Sequence, residues 1–416
     1  MDLHLEKAKD KEQRAKVKIT GSKSETNRLL LLQALYPNLT LENTSNSDDS
    51  EVMQKALNSP FTIHHSQLID VHHAGTAMRF LTAYFSIQEG KEVVLTGSSR
   101  MKERPIKILV DALNELGAEI TYEENEGFPP IRIKGKKLTQ NKVSLPANVS
   151  SQYISALLLI APKLENGLEL TLEGEITSVP YIKMTLALLN EIGVTTSFVG
   201  NIISVKPQFT ILNSQFTIES DWSSASYWYS IVALSEIGFQ VTLSSYKKNS
   251  LQGDSALIDI YKDFGVETTF NSDNSITISK TKNCQLSIVN YQLNNCPDIA
   301  QTIAVTCFGL GIACNLTGLH TLKIKETDRL EALKIELTKL GAEISVTNDS
   351  LHLKSSSGIK QNISISTYQD HRMAMAFAPL ALKVPITINQ AEVVSKSYPD
   401  FWKDLELVGI ENSEIN

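Results

Sequence analysis

Lysine and arginine recur at the starts of the predicted helices of this chain. The chain has 416 residues and a formal net charge of −7, so these cations lie in an acidic background. Helix N-termini have free N–H groups and the positive end of the helix dipole, which attract anions. Any one of these cations could be an ordinary solvated charge, but their recurrence predicts binding of small anions at Lys23, Arg28, Arg79, Lys102, Arg104, Lys325, Arg329, Arg372 and Lys396.

Two clusters combine hydroxyl groups with a cation or an amide. In GSKSETNR, Ser24 and Arg28 are four residues apart and share one face of a helix. In VSSQ, two hydroxyls and an amide stand together at Ser150, Ser151 and Gln152, a composition that suits a phosphate at a helix N-terminus. A plain helix N-cap is the alternative for each cluster. GSKS is not a P-loop, because the glycine spacing of that motif is missing.

Carboxylates and a histidine stand beside other cations. In KETDRL, Glu326 lies next to Lys325 and one helical turn from Arg329, so this carboxylate could transfer a proton or belong to a ladder of salt bridges. In DHRMAM, His371 precedes an arginine and could act as an acid or base. Asp298 opens a predicted helix as a cap or as a base for a substrate hydroxyl.

One sequence pattern recurs four times and predicts the elements that position these groups. The stretches are LVDALNELGAEI, LALLNEIGVTT, LIDIYKDFGVE and LEALKIELTKLGAEI. Each predicts an amphipathic helix with a glycine C-cap that leads into a strand. The glycines are 72 to 76 residues apart, at Gly117, Gly193, Gly265 and Gly341. A period of this length corresponds to a whole supersecondary unit.

A second series of helices alternates with the first. Polar clusters open apolar helices at intervals of 73 to 75 residues, at Thr76, Ser151, Ser224, Asp298 and His371. With GSKSETNRLLLLQAL, DDSEVMQKALN and YPDFWKDLELVG included, both series reach six helices. We therefore predict six α/β units, which divide into two domains of three units, about 200 residues each.

Composition excludes several classes of protein. The net charge of −7 argues against a protein that wraps nucleic acid. No run of 18 apolar residues is present, and the charged start MDLHLEKAKDKEQ lacks a signal-peptide core, so we expect a cytoplasmic protein. The cysteines suit free thiols better than a disulfide framework or a zinc site: Cys284, Cys296, Cys307 and Cys314.

Eleven motifs together resemble the 5-enolpyruvylshikimate-3-phosphate synthase family of enolpyruvyl transferases. They occur in the family's order across nearly the whole chain: GSKSETNR, AGTAMR, RMKERPI, VSSQY, SVPYI, SSASY, SLQGD, PDIAQT, KETDRL, DHRMAMAF and KSYPDF. The resemblance implies a two-domain inside-out α/β barrel of six βαβαββ-type units. It places crossings between domains near Thr20 and Glu219, hence domains at 20–219 and at 1–19 plus 220–416, with the active site in the cleft between them.

The resemblance implies transfer of the enolpyruvyl group of phosphoenolpyruvate to the 5-hydroxyl of shikimate 3-phosphate through a tetrahedral ketal. Shikimate 3-phosphate would be held by Lys23, Ser24, Arg28, Ser150, Ser151, Gln152, Ser178, Asp298 and Lys325. Phosphoenolpyruvate would be held by Lys23, Gly75, Arg104, Gln152, Arg329, Arg372 and Lys396. The expected partners are these two small molecules, not nucleic acid or a membrane, and we expect a monomer.

The resemblance also implies roles in catalysis. Asp298 would be the base for the 5-hydroxyl, Glu326 and Lys23 would protonate the methylene carbon, and His371 would support them. No metal and no cofactor are required. The inhibitor glyphosate would bind in the phosphoenolpyruvate space beside Gly75.

Three positions depart from the family's common pattern, and two alternative functions remain open. The chain has His73 and Thr321 where many members have Asn, and Phe80 where Pro often follows the motif's arginine. The first alternative is enolpyruvyl transfer to UDP-N-acetylglucosamine, but VSSQ and KETDR match the shikimate branch. The second is a non-catalytic repeat scaffold, whose basic surface the composition does not provide.

Overall fold

The structure is a computed structural model that describes residues 1–8, 14–59, 66–147, 150–174 and 176–415. The chain divides into two compact units. We call Ser22–Ile218 the central unit, and Met1–Gly21 together with Glu219–Asn416 the terminal unit. None of the helices in the described ranges combines the length and apolar character needed to cross a lipid bilayer.

The central unit is a mixed α/β structure. Its helices are α1 (Lys23–Leu35), α2 (Asp48–Leu57), α3 (Gly75–Ser86), α4 (Ser99–Lys102), α5 (Lys107–Glu115), α6 (Ser151–Ile160) and α7 (Val179–Glu191). Its strands are β3 (Leu39–Glu42), β4 (Gln67–Asp70), β5 (Glu92–Thr96), β6 (Glu119–Tyr122), β7 (Ile131–Lys134), β8 (Lys142–Pro146), β9 (Leu168–Glu173), β10 (Thr196–Val199), β11 (Ile202–Val205) and β12 (Ser214–Thr217).

The described strands of the central unit form small sheets, and two of its helices are almost fully buried. The described strands form the orders β4-β5-β7-β6 and β10-β11-β9-β8, and a parallel pair β12-β3. In each four-stranded sheet one parallel pair, β4 with β5 or β8 with β9, continues into antiparallel neighbours. Helices α3 and α6 are buried along almost their whole length, so they form the middle of the core rather than a one-sided amphipathic layer.

The terminal unit contains both ends of the chain. Its helices are α8 (Trp222–Leu234), α9 (Leu257–Ile260), α10 (Ala300–Leu310), α11 (Arg329–Lys339), α12 (His371–Phe377) and α13 (Phe401–Glu406). Its strands are β1 (Asp2–Lys7), β2 (Arg14–Val17), β13 (Gln240–Leu243), β14 (Val266–Phe270), β15 (Ile276–Lys280), β16 (Ile288–Gln292), β17 (Ala313–Thr317), β18 (Ile344–Val346), β19 (Leu351–Leu353), β20 (Ile363–Ile365), β21 (Ile386–Ile388) and β22 (Ile410–Ile415).

Sheets of the terminal unit join strands that are far apart in sequence. The described strands form the orders β20-β21-β1-β22, β14-β15-β13-β2 and β16-β17-β19-β18. Strand β1 lies antiparallel between β21 and β22, and β2 pairs in parallel with β13. Helices α8, α10 and α12 are buried along most of their length. The first residues of the chain are therefore part of this unit's sheets.

The glycine C-caps predicted by the first series are confirmed at Gly117, Gly193 and Gly341, whereas Gly265 follows a turn, because α9 already ends at Ile260. Gly117, Gly193, Gly265 and Gly341 have φ of +105°, +90°, +77° and +104°, a left-handed conformation that glycine adopts without a Cβ clash. A strand follows each of them, namely β6, β10, β14 and β18. The third predicted helix is shorter than the pattern indicated, because α9 covers only Leu257–Ile260.

The second series of helices is confirmed at each of the five predicted starts. Helices α3, α6, α8, α10 and α12 begin at or within two residues of the polar clusters. Asp298 lies in a 3-10 turn, Pro297–Ile299, that leads into α10. Helix α12 has only seven residues, and a further 3-10 turn continues it. The four cysteines, all in the described part of the chain, are free thiols as predicted.

Candidate functional site

Helix α1 begins with a lysine that pairs with a carboxylate. Ser22 caps the helix, its Oγ accepting from the backbone N–H of Glu25 at 3.5 Å. Lys23 Nζ lies 3.4 Å from Asp49 Oδ2, and both side chains are largely buried. Asp49 belongs to the first turn of α2. The predicted site lysine is thus held by a residue that the sequence analysis did not select.

Arg28 is a buried cation surrounded by neutral oxygen atoms. Its Nε donates to Thr185 Oγ1 at 2.8 Å, and its Nη2 donates to Ser155 Oγ at 3.0 Å. Its Nη1 donates to the backbone oxygen of Ser24 at 2.7 Å, and its Nη2 reaches that of Tyr181 at 3.4 Å. Burial lowers the pKa of Arg28 to about 10. The guanidinium is therefore still positively charged at neutral pH, and this charge would stabilise a nearby anion.

Gly75 and Arg104 are in direct contact. A Cβ added to Gly75 would lie 2.5 Å from Nη1 and 2.8 Å from Nη2 of Arg104. Glycine leaves room for the guanidinium at the start of α3, and a side chain at this position would require the flexible end of Arg104 to move. Beside it, Gln152 Nε2 donates to Thr76 Oγ1 at 3.1 Å, which brings the first turns of α3 and α6 together. The structure thus brings together three residues that were predicted to bind phosphoenolpyruvate, namely Gly75, Arg104 and Gln152.

Arg79 holds the backbone on both sides of this contact. Its Nη1 donates to the carbonyl of Gly75 at 3.2 Å, and its Nη2 donates to the carbonyl of Pro105 at 3.0 Å. The hydroxyl of Tyr153 donates to the same Pro105 oxygen at 2.6 Å. Arg79 is buried. Its contacts in the described structure fix the residue that follows Arg104 against the start of α3.

The predicted site serines of the VSSQY and SVPYI motifs lie at helix starts. Ser150 is the N-cap of α6, and its Oγ accepts from the backbone N–H of Gln152 at 3.3 Å. Ser151 is the first residue of that helix. Ser178 precedes α7 with φ of +54°, a left-handed conformation that is uncommon for a residue with a Cβ. Val149, the first residue of the VSSQY motif, lies outside the described residues.

Arg329 is the centre of an ion-pair network in the terminal unit. It is buried, and its three nitrogens contact three carboxylates. Nε donates to Asp370 Oδ2 at 2.6 Å, Nη1 donates to Asp298 Oδ1 at 2.9 Å, and Nη2 donates to Glu326 Oε2 at 2.7 Å. Burial opposes the charge of Arg329, but these carboxylates raise its pKa above the ordinary value. The salt-bridge alternative for KETDRL is therefore present in this structure, and binding of phosphoenolpyruvate by Arg329 stays a prediction.

Asp298 is held between cations. Besides the contact with Arg329, its carboxylate lies 3.5 Å from Lys325 Nζ and 3.4 Å from Arg372 Nη2. Burial alone would raise the pKa of Asp298, but Lys325, Arg372 and Arg329 together hold it well below the ordinary value. The side chain is ionised at neutral pH and can accept hydrogen bonds from a ligand.

Arg372 joins the starts of three helices. It is the second residue of α12, and its Nη1 donates to the backbone oxygen of Asp298 at 3.3 Å, just before α10. Its Nη2 donates to Ser223 Oγ at 3.2 Å, at the start of α8. His371 is buried, with Nδ1 3.9 Å from Asp370 Oδ1. Lys396 Nζ donates to the backbone oxygen of Gln369 at 2.7 Å, in the turn that precedes α12.

Sequence reasoning missed several polar residues whose side chains contact predicted site residues, namely Asp49, Ser155, Thr185, Ser223 and Asp370. Asp370 had a usable signal, because it directly precedes the His-Arg pair and its carboxylate caps α12 by accepting from the backbone N–H of Arg372. Asp49 follows the cap of an acidic helix start, a position typical of favourable helix-dipole interaction. Ser223 had no signal of its own among the neighbouring serines.

The three departures from the family pattern have different surroundings. His73 lines a cavity of about 390 Å³ formed by α2 and the segment from β4 to α3. Phe80 is buried, and the guanidinium of Arg28 lies 5.5 Å from its ring centroid, a favourable cation–π distance. Thr321 Oγ1 is buried and has no hydrogen-bond partner among the described residues. Phe80 thus packs near Arg28, which is predicted to bind shikimate 3-phosphate.

Comparison with known proteins adds a sequence match over most of the chain. The profile of the family described as EPSP synthase (3-phosphoshikimate 1-carboxyvinyltransferase) matches residues 37–405. A 3-phosphoshikimate 1-carboxyvinyltransferase of Bacteroides fragilis strain YCH46 is 47% identical over 402 residues, covering 95% of each chain. The enzyme of the same name from Photobacterium damsela subsp. piscicida is 36% identical over 415 residues, covering 94% of this chain and 96% of the relative.

Solved structures show the same fold at lower identity. The EPSP synthase of Acinetobacter baumannii, solved at 2.37 Å, has a TM-score of 0.80 with 22% identity and covers 100% of both chains. The enolpyruvyl transferase NikO of Streptomyces tendae has a TM-score of 0.73 with 14% identity, covering 99% of this chain and 98% of that chain. These likenesses concern the fold alone.

Proposed function

Because this chain belongs to the EPSP synthase family, we propose that it transfers the enolpyruvyl group of phosphoenolpyruvate to the 5-hydroxyl of shikimate 3-phosphate. The products are 5-enolpyruvylshikimate 3-phosphate and inorganic phosphate, a step of chorismate and aromatic amino acid biosynthesis. The observation that carries the proposal is the family match over residues 37–405, which includes nearly all the motifs that supply the cationic helix starts.

Shikimate 3-phosphate binds mainly to the central unit in this proposal. The hydroxyls and amide at the start of α6 receive its phosphate together with the cations of α1, and Ser178 adds a contact before α7. Two of the residues that bind it, Asp298 and Lys325, belong to the terminal unit. The proposed set is Lys23, Ser24, Arg28, Ser150, Ser151, Gln152, Ser178, Asp298 and Lys325. Support comes from the buried guanidinium of Arg28, whose described hydrogen-bond partners are all neutral.

Phosphoenolpyruvate binds to cations of both units in this proposal. Its phosphate and carboxylate are multiply anionic and would repel the phosphate of the other substrate without such cations. The proposed set is Lys23, Gly75, Arg104, Gln152, Arg329, Arg372 and Lys396. Support comes from the contact of Gly75 with Arg104 and from the hydrogen bond that joins Gln152 to the first turn of α3.

The reaction needs one proton acceptor and one proton donor. The 5-hydroxyl attacks C2 of phosphoenolpyruvate and gives its proton to Asp298, while Glu326 or Lys23 protonates the methylene carbon to form the tetrahedral ketal. Loss of a methyl proton and cleavage of the bond to phosphate then give the enol ether. An anionic substrate that draws Lys325 and Arg372 away from Asp298 would raise the pKa of this carboxylate and strengthen it as a base.

The finer architecture is also a proposal. We infer six repeated units of the βαβαββ type in an inside-out barrel, three in each domain, with domain limits at 20–219 and at 1–19 plus 220–416. Support comes from the sheets of the described strands, three in each compact unit, and from the glycine caps at the repeat period. A monomer in the cytoplasm remains the prediction from the sequence.

A phosphate-release assay tests the function. Phosphoenolpyruvate is offered with shikimate 3-phosphate, with UDP-N-acetylglucosamine or with no acceptor, and the product is identified by mass spectrometry. We expect release only with shikimate 3-phosphate. If phosphate is released only with UDP-N-acetylglucosamine, the protein is the related transferase that uses this acceptor. If no phosphate is released with either acceptor, the proposal is wrong and the non-catalytic scaffold is the remaining alternative.

A further inference from the structure

Asp254 is a buried carboxyl that the proposed mechanism does not use. It lies in the 3-10 turn Gly253–Ala256 of the terminal unit and is 3% exposed. Its Oδ2 accepts a hydrogen bond from the hydroxyl of Ser223, and its Oδ1 has no hydrogen-bond partner among the described residues. Burial of an ionised carboxylate with an unpaired oxygen is costly, whereas a neutral carboxylic acid tolerates such a site.

Ser223 connects this carboxyl to Arg372. The Oγ of Ser223 accepts a hydrogen bond from Arg372 Nη2 at 3.2 Å and donates its own proton to Asp254. Arg372 also donates to the backbone oxygen of Asp298 and lies 3.4 Å from its carboxylate. One hydroxyl therefore transmits a change at Asp254 to the guanidinium, and the position of Ser223 depends on both neighbours.

Several charged or titratable groups surround Asp254. Asp298 and Asp221 oppose its ionisation, Arg372 favours it, and the buried thiol of Cys296 lies nearby. Burial and then Asp298 raise the pKa of Asp254 to about 7. Three cations keep Asp298 ionised, so Asp254 rather than Asp298 is the carboxyl that takes up a proton as the pH falls through about 7.

We propose that Asp254 is a positioning residue that acts through Ser223 on Arg372, and that the protonation state of Asp254 sets the affinity of Arg372 for an anionic group of the substrate. This proposal rests on the proposed function, in which Arg372 binds phosphoenolpyruvate. Neutral Asp254 adds no charge, and the guanidinium is available to the substrate. Ionised Asp254 pulls Ser223 and Arg372 toward itself and repels the incoming anion.

The pH dependence of phosphoenolpyruvate binding tests the proposal. KM and kcat are measured between pH 6 and 9 for the wild type and for Asp254→Asn, which keeps the side chain neutral at every pH. The ionisation of the substrate affects both proteins equally and cancels in the ratio of their KM values. We expect this ratio, wild type over variant, to rise by about threefold to tenfold across pH 7 with a much smaller change in kcat.

Three further variants separate positioning from folding. Ser223→Ala breaks the connection and should remove most of the pH dependence of KM that the wild type shows beyond that of Asp254→Asn, and Ser223→Thr retains a hydroxyl and should restore it. Asp259→Asn changes an exposed carboxylate of α9 and should behave as the wild type. A ratio that does not vary with pH in folded Asp254→Asn, or Ser223→Ala that retains the wild-type pH dependence of KM, would overturn the proposal.

A measurement without substrate distinguishes failure of this proposal from failure of the proposed function. The carboxyl carbon of Asp254 is assigned by its absence from the ¹³C spectrum of Asp254→Asn, and the side-chain nitrogens of Arg372 are followed by ¹⁵N NMR. We expect both to change together near pH 7. If the carboxyl of Asp254 titrates below pH 5, or if the Arg372 resonances do not shift as it titrates, the proposal is overturned even if the enzyme is active.

Discussion

Arg28 and Lys280 are two buried cations whose described hydrogen-bond partners are all neutral. Arg28 contacts hydroxyls and carbonyls at helix starts that we propose for substrate binding. Lys280 is 2% exposed, and its Nζ donates to the carbonyls of Ala233 and Phe264 at 2.8 and 2.7 Å. These oxygens belong to the end of α8 and the turn after α9, where carbonyls lack helical partners. A buried cation with neutral partners thus caps helical carbonyls at Lys280, and at Arg28 we propose that it binds a substrate anion.

Lys280 should make stability depend on alkaline pH. Burial lowers its pKa below 10.5, so the unfolded chain binds more protons between the two pKa values and stability rises with pH in that window. We expect the free energy of unfolding of the wild type to rise relative to that of Lys280→Met as pH increases from neutral toward 10. Denaturant titrations at several pH values measure the difference, with exposed Lys403→Met as the control. A difference in the free energy of unfolding between wild type and Lys280→Met that does not change with pH would contradict this account.

Asp298 and Glu326 should matter for turnover more than for folding. Asp298→Asn and Glu326→Gln retain the shape of each side chain and remove its charge, so we expect kcat to fall by about two to four orders of magnitude. Thermal unfolding checks that each variant is folded, and binding of shikimate 3-phosphate should weaken much less than turnover. Turnover close to that of the wild type in both variants would leave these carboxylates as salt-bridge partners of Arg329.

Gly75 should control how much space lies beside Arg104. A methyl at Gly75 would approach the guanidinium to 2.5 Å, so the flexible end of Arg104 must move. We expect Gly75→Ala to raise the inhibition constant of glyphosate by about tenfold and the KM of phosphoenolpyruvate by less, because glyphosate is the longer ligand. Gly358→Ala, with open space around its Cα, is the matched control. Equal glyphosate sensitivity of Gly75→Ala and wild type would show that this glycine does not line the pocket.

At the scale of elements, the glycines that end the repeated helices differ in their surroundings. Gly265 and Gly341 both have positive φ, at +77° and +104°. A Cβ on Gly265 would lie 1.9 Å from the backbone oxygen of Lys282, whereas a Cβ on Gly341 would meet only side-chain atoms of Lys360 at 3.6 Å or more. Both glycines belong to the terminal unit, so their substitutions can be compared within one folding unit.

Gly265→Ala should therefore destabilise the terminal unit more than Gly341→Ala. The left-handed conformation costs an alanine about 1 kcal/mol at either site. The clash with a backbone oxygen at Gly265 should add at least about 1 kcal/mol, because the backbone cannot move as a flexible side chain does. Chemical denaturation measures both variants. A loss of stability for Gly341→Ala equal to or greater than that for Gly265→Ala would contradict the role given to Lys282.

The sequence predicted helix starts and ends better than it predicted contacts. The caps at Gly117 and Gly193 and the polar starts of α3 and α6 follow from local chemistry, which a sequence pattern contains. The length of α9 could not be predicted, because its apolar residues have helical spacing but belong to a turn that leads into β14. Pairing of Lys23 with Asp49, and of Arg329 with Asp370, depends on packing between distant segments and has no local signal.

At the scale of the whole molecule, each unit has its own hydrophobic core. The core of the central unit uses residues between Leu29 and Ile218, a continuous stretch of chain. The core of the terminal unit joins Leu3, Leu5, Val17 and Ile19 to residues between Trp222 and Ile410. One core therefore depends on a single chain segment, and the other depends on both ends of the protein.

We expect residues 22–218 to fold when produced alone, since the core and the described strand pairings of the central unit lie within this segment. A chain that lacks residues 1–21 should lose the terminal unit, because β1 and β2 supply strands to two of its sheets. Circular dichroism and ¹H–¹⁵N spectra measure both. An unfolded 22–218 fragment, or a native terminal unit without residues 1–21, would contradict this division.

The pairing of β1 with β22 has a consequence for synthesis. Asp2 lies opposite Ile415 and Lys7 lies opposite Ile410, and the other neighbour of β1 is β21. During translation β1 is made before the central unit, whereas both of its partners are made after that unit. The nascent chain therefore carries β1, with its two core leucines Leu3 and Leu5, unpaired while the central unit folds. The sheet can close around β1 only after β21 and β22 have been translated.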